Sequence, residues 1–287
     1  MSNSISKATL ITGCSTGIGR STAVRLAAAG LPVYASARRA ESIADLAGQG
    51  CKTIPLDVCD ETSMREAVRT IEAAEGAVGV LINNAGYGSE GPFEEVPMEE
   101  IRRQFETNVF GLVRLTQLCL PGMRRQRFGR IVNLSSMGGR LTLPGGAFYH
   151  ATKYAVEALS DALRFETSGF GIDVVVVEPG PIRTEFANTA IAKIDSLGAS
   201  AGADSPYGPF REGLKQSIRD AYDGPMGALA GTPEDVAKAI EKAVTARRPR
   251  SRYPVTLAAR MLMATRRWLP DRAFDTVLAS QLVRPGR

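Results

Sequence analysis

The sequence predicts a doubly wound α/β fold, a parallel sheet with helices on both faces. Three observations carry this reading. Short β-branched runs alternate with amphipathic stretches over the first 180 residues, and alternating strands and helices imply parallel pairing with right-handed crossovers. The strand runs, "VVVV" most densely, are largely apolar, as strands covered on both sides must be. A glycine-rich turn, "TGCSTGIGR", follows the first strand, and sheets of this kind bind ligands outside the C-terminal ends of their strands.

The elements follow in order. "KATLITG" reads as a strand, and "TGIGRSTAVRLAAAG" as a turn and helix. "LPVYASA" and "CKTIPLDV" are the second and third strands, "ETSMREAVRTIEAAEG" an amphipathic helix and "VGVLINNAG" the fourth strand. "MEEIRRQFETNVFGLVRLTQLCLPGMRRQ" reads as one long helix. "GRIVNLSS" is the fifth strand, a helix around Tyr149 follows, and "GIDVVVVEPG" is the sixth strand. Residues 180–231 are rich in Gly, Ala, Ser and Pro, with helical pieces near 184–197 and 209–222. A stretch this long in a compact fold reads as a substrate lid or as a surface insertion. "TPEDVAKAIEKAVTA" is a helix capped by Thr232, with Pro233 at its first position.

Composition narrows the function classes. The chain has 287 residues, which suits one large α/β domain or two small ones, and 44% of them are hydrophobic, as in a soluble globular protein. It shows no basic and apolar leader, so a cytoplasmic location is expected. Cys14, Cys51, Cys59 and Cys119 have no metal-like spacing, and His150 is the one histidine; no metal is expected. The net charge is +5, but Arg247–Arg287 holds ten arginines against two aspartates. The basic excess therefore belongs to a C-terminal extension, 247–287, and a nucleic-acid partner is not expected. In that extension Leu257, Met261, Ala264 and Trp268 recur at near-helical spacing beside Arg260, Arg266 and Arg267. Such a stripe can cap a pocket, join two copies or lie on anionic lipid.

Two sequence features carry chemistry. Gly13, Gly17 and Gly19 open the first helix, where missing side chains and the helix N-terminus suit a pyrophosphate. The second strand then ends "VYASARRAE". No carboxylate stands there to bond a free ribose 2′-hydroxyl. Arg38 instead offers a planar, permanently charged fork for a 2′-phosphate, and Arg39 adds to the field. The second feature is "YHATK", with Tyr149 and Lys153 one helical turn apart.

With these motifs the sequence resembles the short-chain dehydrogenase/reductase family from about residue 7 to 185. The likeness rests on "TGCSTGIG", "LDV", "NNAG", "TNVFG", "IVNLSS", "YHATK" and "PGPIRTEF" in that order. The tail resembles, more loosely, the hydroxysteroid and retinol dehydrogenase branch. The resemblance implies one Rossmann-type domain over 1–287, with the cofactor core and catalytic residues in 1–180 and a lid in 180–231. It implies a catalytic set of Asn108, Ser136, Tyr149 and Lys153, Ser136 lying thirteen positions before Tyr149. Ser135 is then a structural neighbour. Tyr149 would exchange a proton with the substrate oxygen, and a nearby Lys153 ammonium is expected to lower its pKa. Lys153 would also bond the nicotinamide ribose, and Asn108 would hold a water relaying protons from Lys153. Ser15, Thr16 and Ile18 would join the three glycines around the phosphates. Asp57 and Val58 would meet the adenine. Asn84, Ala85 and Gly86 would line the adenosine side, and Pro179, Gly180, Ile182 and Thr184 would hold the nicotinamide amide. His150, pointing about 100° away from Tyr149, reads as a packing or surface residue. The implied activity is NADP(H)-dependent interconversion of a lipophilic ketone or aldehyde and its alcohol, in a homodimer or homotetramer. Reduction of a carrier-bound β-ketoacyl group and non-catalytic NADP sensing are the alternatives.

Overall fold

The computed structural model describes residues 5–202, 204–224, 227 and 229–279. Seven strands among these form one parallel sheet in the order β3-β2-β1-β4-β5-β6-β7. The strands are β1 (Thr9–Ile11), β2 (Val33–Ala37), β3 (Lys52–Pro55), β4 (Val80–Asn83), β5 (Gly129–Leu134), β6 (Ile172–Glu178) and β7 (Arg252–Pro254). From β1 the chain winds outward to β3, then returns to place β4 on the other side of β1. That reversal opens a crevice above the carboxyl ends of β1 and β4.

Strand side chains alternate between two cores, as the pleat demands. Ile11, Val33, Ala35, Ile82, Val132 and Val175 pack on one face, beneath α1 (Gly17–Ala28) and α8 (Pro233–Thr245). Leu10, Tyr34, Leu81, Ile131 and Val174 pack on the other with side chains of α2 (Glu61–Glu75) and α4 (Gly111–Arg125). The predicted class, a doubly wound Rossmann-type sheet, is the fold observed.

Three details depart from expectation. A seventh strand, β7, extends the sheet beyond β6; its three residues are too few to show a strand period. A 3₁₀ segment, Ala40–Gln49, joins β2 to β3. The long helix is interrupted: α3 (Met98–Phe105) passes through a π turn, Glu106–Phe110, into α4. Residues 180–231 hold α6 (Phe186–Ala201) and α7 (Gly208–Asp223), close to the expected helical pieces. Thr232 caps α8 in a capping box with Asp235.

Candidate active site

A cavity of about 930 Å³ fills the crevice. At one end lies the glycine turn. Gly17 has φ +58°, a left-handed conformation that side-chain-bearing residues rarely adopt. A Cβ there would stand 3.3 Å from the Thr184 methyl, so the turn and the "PGPIRT" segment close on each other. Gly19 is small for another reason: a Cβ would collide with the Gly13 carbonyl and the Asn84 amide. Asn84 Nδ2 donates to the carbonyls of Thr12 (2.8 Å) and Gly13 (3.1 Å) and thereby ties the end of β4 to the turn.

Most expected cofactor residues border this cavity. Ser15, Thr16, Gly17 and Ile18 line it beside Gly13, and Asp57 and Val58 lie across from them. Asn84, Ala85 and Gly86 form its floor, while Pro179, Gly180, Ile182 and Thr184 form the opposite rim. Arg38 reaches the wall, whereas Arg39 does not; it is exposed, and its carbonyl accepts from Ser42. Arg39 stands outside the lining because successive strand-end residues point to opposite sides. Gly19 also stays behind the cavity wall and acts through packing. Asn83 is buried away from the cavity, bonding Thr116 (3.1 Å) and Asn133 (2.9 Å) across the sheet.

The cavity wall gathers three of the four expected catalytic side chains, Ser136, Tyr149 and Lys153, while Asn108 is buried behind it. Ser136 follows β5 and lines the cavity with Tyr149; its Oγ accepts from Gly138 N–H at 3.0 Å. Tyr149 and Lys153 both lie in α5 (Ala147–Thr167), with Lys153 Nζ 5.8 Å from the Tyr149 ring centre. Lys153 is buried and donates to the Leu134 carbonyl at 2.8 Å. Asn108 sits in the π turn, a helix irregularity common at functional sites. Its amide accepts from Tyr87 N–H (3.0 Å) and donates to Tyr87 O (2.9 Å) and Thr152 Oγ1 (3.1 Å). A Cβ on Gly86 would lie 3.0 Å from Asn108 Oδ1 and 3.8 Å from Lys153 Nζ, so the two catalytic candidates flank one small space.

Electrostatics correct one expectation. The Tyr149 phenol is raised above its ordinary pKa, not lowered: burial dominates, and the Ser136 hydrogen bond only opposes it. Lys153 does not offset this: its ammonium donates to the Leu134 carbonyl, and burial pushes its own pKa down to about 8. His150 is buried, its Nδ1 3.0 Å from the Gly138 carbonyl; burial depresses its basicity, and it packs as expected. Ser135 is buried outside the Tyr149 contact and reaches only the Ser136 carbonyl, at 3.5 Å.

Sequence reasoning overlooked several supports. Thr12 Oγ1 accepts from the N–H groups of Asn84 (3.0 Å) and Ala85 (2.9 Å). Thr152 Oγ1 donates to the Tyr149 carbonyl (2.7 Å) while accepting from Asn108. A threonine placed just before the glycine turn, and one just before the lysine, were the signals for both. Glu90, Phe186 and Tyr222 line the substrate end and have no motif around them.

This geometry has close counterparts among known proteins. The family profile described as short chain dehydrogenase matches residues 7–195. The chain is a short-chain dehydrogenase. It is 35% identical to an NADPH-dependent 3-dehydrocapnine reductase of Ornithobacterium rhinotracheale, over 95% of this chain and 96% of the relative. It is 35% identical to a 3-ketodihydrosphingosine reductase of Bacteroides thetaiotaomicron, over 94% and 95%. The crystal structure of a short-chain dehydrogenase from Streptomyces avermitilis superposes with a TM-score of 0.77 at 34% identity, covering 98% of this chain and 96% of that one. The chain is therefore an oxidoreductase of the short-chain dehydrogenase/reductase family.

Proposed function

We propose that this short-chain dehydrogenase interconverts a lipophilic ketone or aldehyde and its alcohol, with NADP(H) as cofactor and Tyr149 as general acid and base. The observation that carries the reading is one continuous cavity lined by a glycine turn and Arg38 and by Ser136, Tyr149 and Lys153. The first end fits the cofactor. The N-terminus of α1 carries no side-chain cap, which suits its N–H groups to phosphate, and Arg38 suits the 2′-phosphate. A relative of 35% identity is NADPH-dependent. The bound dinucleotide supplies a hydride to, or takes one from, the substrate carbon.

The chain's residues do the rest. Ser136 Oγ and Tyr149 OH grip the substrate oxygen together. Burial keeps the Tyr149 proton in place at neutral pH, as donation to a carbonyl oxygen requires. Lys153 binds the ribose and returns the proton to Tyr149, with Asn108 holding the relay from its π turn. α6 and α7 cover the substrate end and exclude water. The residues lining that end include Leu143, Phe186, Leu214 and Ile218, which fits a lipophilic body.

The same reading places the enzyme in the cytoplasm as a homodimer or homotetramer. No helix among the described residues is long and apolar enough to cross a membrane. The tail stripe does not cap the pocket: Leu257, Met261 and Trp268 of α9 (Leu257–Trp268) face outward, 57%, 56% and 80% exposed. With exposed Arg260 and Arg267 beside them, they suit peripheral contact with anionic lipid. The test of the central reading is a screen of ketones and alcohols with NADPH, NADH and their oxidised forms, followed at the nicotinamide absorbance. Turnover that prefers NADPH supports it; turnover that prefers NADH removes the Arg38 assignment, and none with any carbonyl removes the reaction.

A further inference from the structure

Two buried carboxylates stand beside the catalytic side chains, and the mechanism makes no use of them. Glu157 and Glu178 are 6% and 3% exposed. Glu157 lies one turn after Lys153 on α5, and Glu178 is the last residue of β6, directly before Pro179 in the cavity rim. Buried carboxylates need a counter-charge, and Arg252 of the edge strand β7 supplies one to both. Its Nε donates to Glu157 Oε2 at 3.1 Å and lies 3.5 Å from Glu178 Oε1. Its Nη2 donates to both oxygens of Asp161, one turn further along α5, at 2.7 Å. The other Glu157 oxygen, Oε1, has no hydrogen-bond partner among the described residues.

The segments these acids hold are the ones that carry the site. The Pro179 carbonyl accepts from Met137 N–H at 2.8 Å and from Ser136 Oγ at 3.5 Å, so the end of β6 fixes the Ser136 turn. That turn, Met137–Gly139, ends at Arg140, whose Nη1 reaches the same Glu178 oxygen at 3.5 Å. Its other side packs on α5 at Gly139. A Cβ there would stand 2.9 Å from both the Lys153 carbonyl and Glu157 Cγ, and 2.6 Å from Ser135 Oγ. Arg252 thus bridges the helix that bears Tyr149 and Lys153 to the strand end that anchors Ser136.

We propose that Arg252 is a positioning residue for hydride transfer, which by pairing Glu157 and Glu178 at once keeps Tyr149 and Lys153 in register with Ser136. The proposal rests on the oxidoreductase reading above. Arg252 does not line the cofactor and substrate cavity. It borders a second cavity of about 670 Å³ with Arg250 and Tyr253, and its side chain is 25% exposed there, so a small cation from solvent can reach its place.

Single-turnover reduction of 2-decanone, or of the fastest ketone in the screen above, by NADPH tests this. Four variants are compared with wild type: Arg252→Ala, Arg252→Lys, the neighbouring Arg250→Ala, and the triple variant Arg252→Ala, Glu157→Gln and Glu178→Gln. Arg252→Ala should slow hydride transfer by about 10- to 100-fold, as a small misplacement of reacting groups does. Its NADPH affinity should stay within about threefold, because the Arg38 end is untouched. Arg252→Lys keeps the charge without the planar fork and should recover part of the rate. Millimolar guanidinium ion should also restore part of the rate of Arg252→Ala, and urea at the same concentration should not. Arg250→Ala should match wild type. The triple variant removes the unpaired buried charges, so its melting temperature should recover while its rate stays low. A wild-type rate in Arg252→Ala, or a triple variant that regains rate and stability together, would make Arg252 purely structural and overturn the proposal. If Arg252→Ala does not fold, the triple variant and Arg252→Lys decide: wild-type rates in both overturn it. Each of these results leaves the oxidoreductase reading intact, whereas a wild type that reduces no ketone overturns both.

Discussion

Lys153 carries its charge where the fold penalises it. Burial holds its pKa to about 8, below the roughly 10.4 of an unfolded lysine. Between those values the unfolded chain binds the proton and the folded chain does not, so this residue's penalty is full below the folded pKa and shrinks as pH rises toward the unfolded one. Lys153→Met should therefore gain stability relative to wild type at pH ~7 and lose that advantage toward pH ~10. Thermal unfolding across this range checks it, and a gap that does not change with pH would contradict the assignment. Tyr149→Phe keeps the ring contacts with Phe186 and removes only the transferable proton. A fall in kcat of about 10²- to 10⁴-fold with unchanged nucleotide affinity is expected, measured by single-turnover kinetics and cofactor titration; near-normal turnover would exclude the proton-donor role. Arg38→Ala should cost ~1.5–3 kcal/mol in NADPH use and leave NADH nearly unaffected. Equal effects on the two cofactors would show Arg38 to be a surface charge. At this scale the sequence was informative wherever a motif fixed spacing along one helix, as with Tyr149 and Lys153. It was silent on Thr12 and Thr152, whose partners Asn84 and Asn108 are distant in sequence.

The π turn Glu106–Phe110 shows what element-level pattern reading misses. Its residues continue the apolar periodicity of α3 and α4 with good helix formers around them, so nothing local marks the extra residue. The irregularity exists because the Asn108 amide must meet Tyr87 and Thr152 at once, a tertiary demand. The lid helices were easier to read, since α6 and α7 each carry a helical pattern between glycine- and proline-rich breaks. Their expected motion follows from their place: α6 starts two residues after Thr184, at the cofactor end, and α7 contributes Leu214 and Ile218 to the cavity. Binding NADP+ with an alcohol should slow amide exchange in Phe186–Asp223 while β4 and β5 stay protected throughout. Equal exchange in this segment with and without ligands would count against a lid. The β7 strand was not read at all, because three residues next to an arginine-rich run carry no period.

On the scale of the whole molecule, charge and apolar exposure coincide on α9. Sedimentation with vesicles containing anionic phospholipid should carry the protein down at low salt, and ~0.5 M salt should weaken this by screening. The double variant Met261→Glu and Trp268→Glu should abolish it, with turnover of soluble substrate unchanged. Binding that survives the double variant would move the contact elsewhere, and a shift in oligomer mass instead of vesicle binding would make the stripe a self-association surface. The amino-acid order alone was enough for the class of fold, the position of the glycine turn, and the pairing of Tyr149 with Lys153. These depend on period and spacing within one element, and local geometry follows directly from them. Folding had to decide which arginine of Arg38 and Arg39 meets the cavity, and that burial lifts the Tyr149 phenol instead of Lys153 lowering it. Each of these outcomes is set by solvent exclusion and by contacts between residues far apart in the chain, which no local pattern encodes.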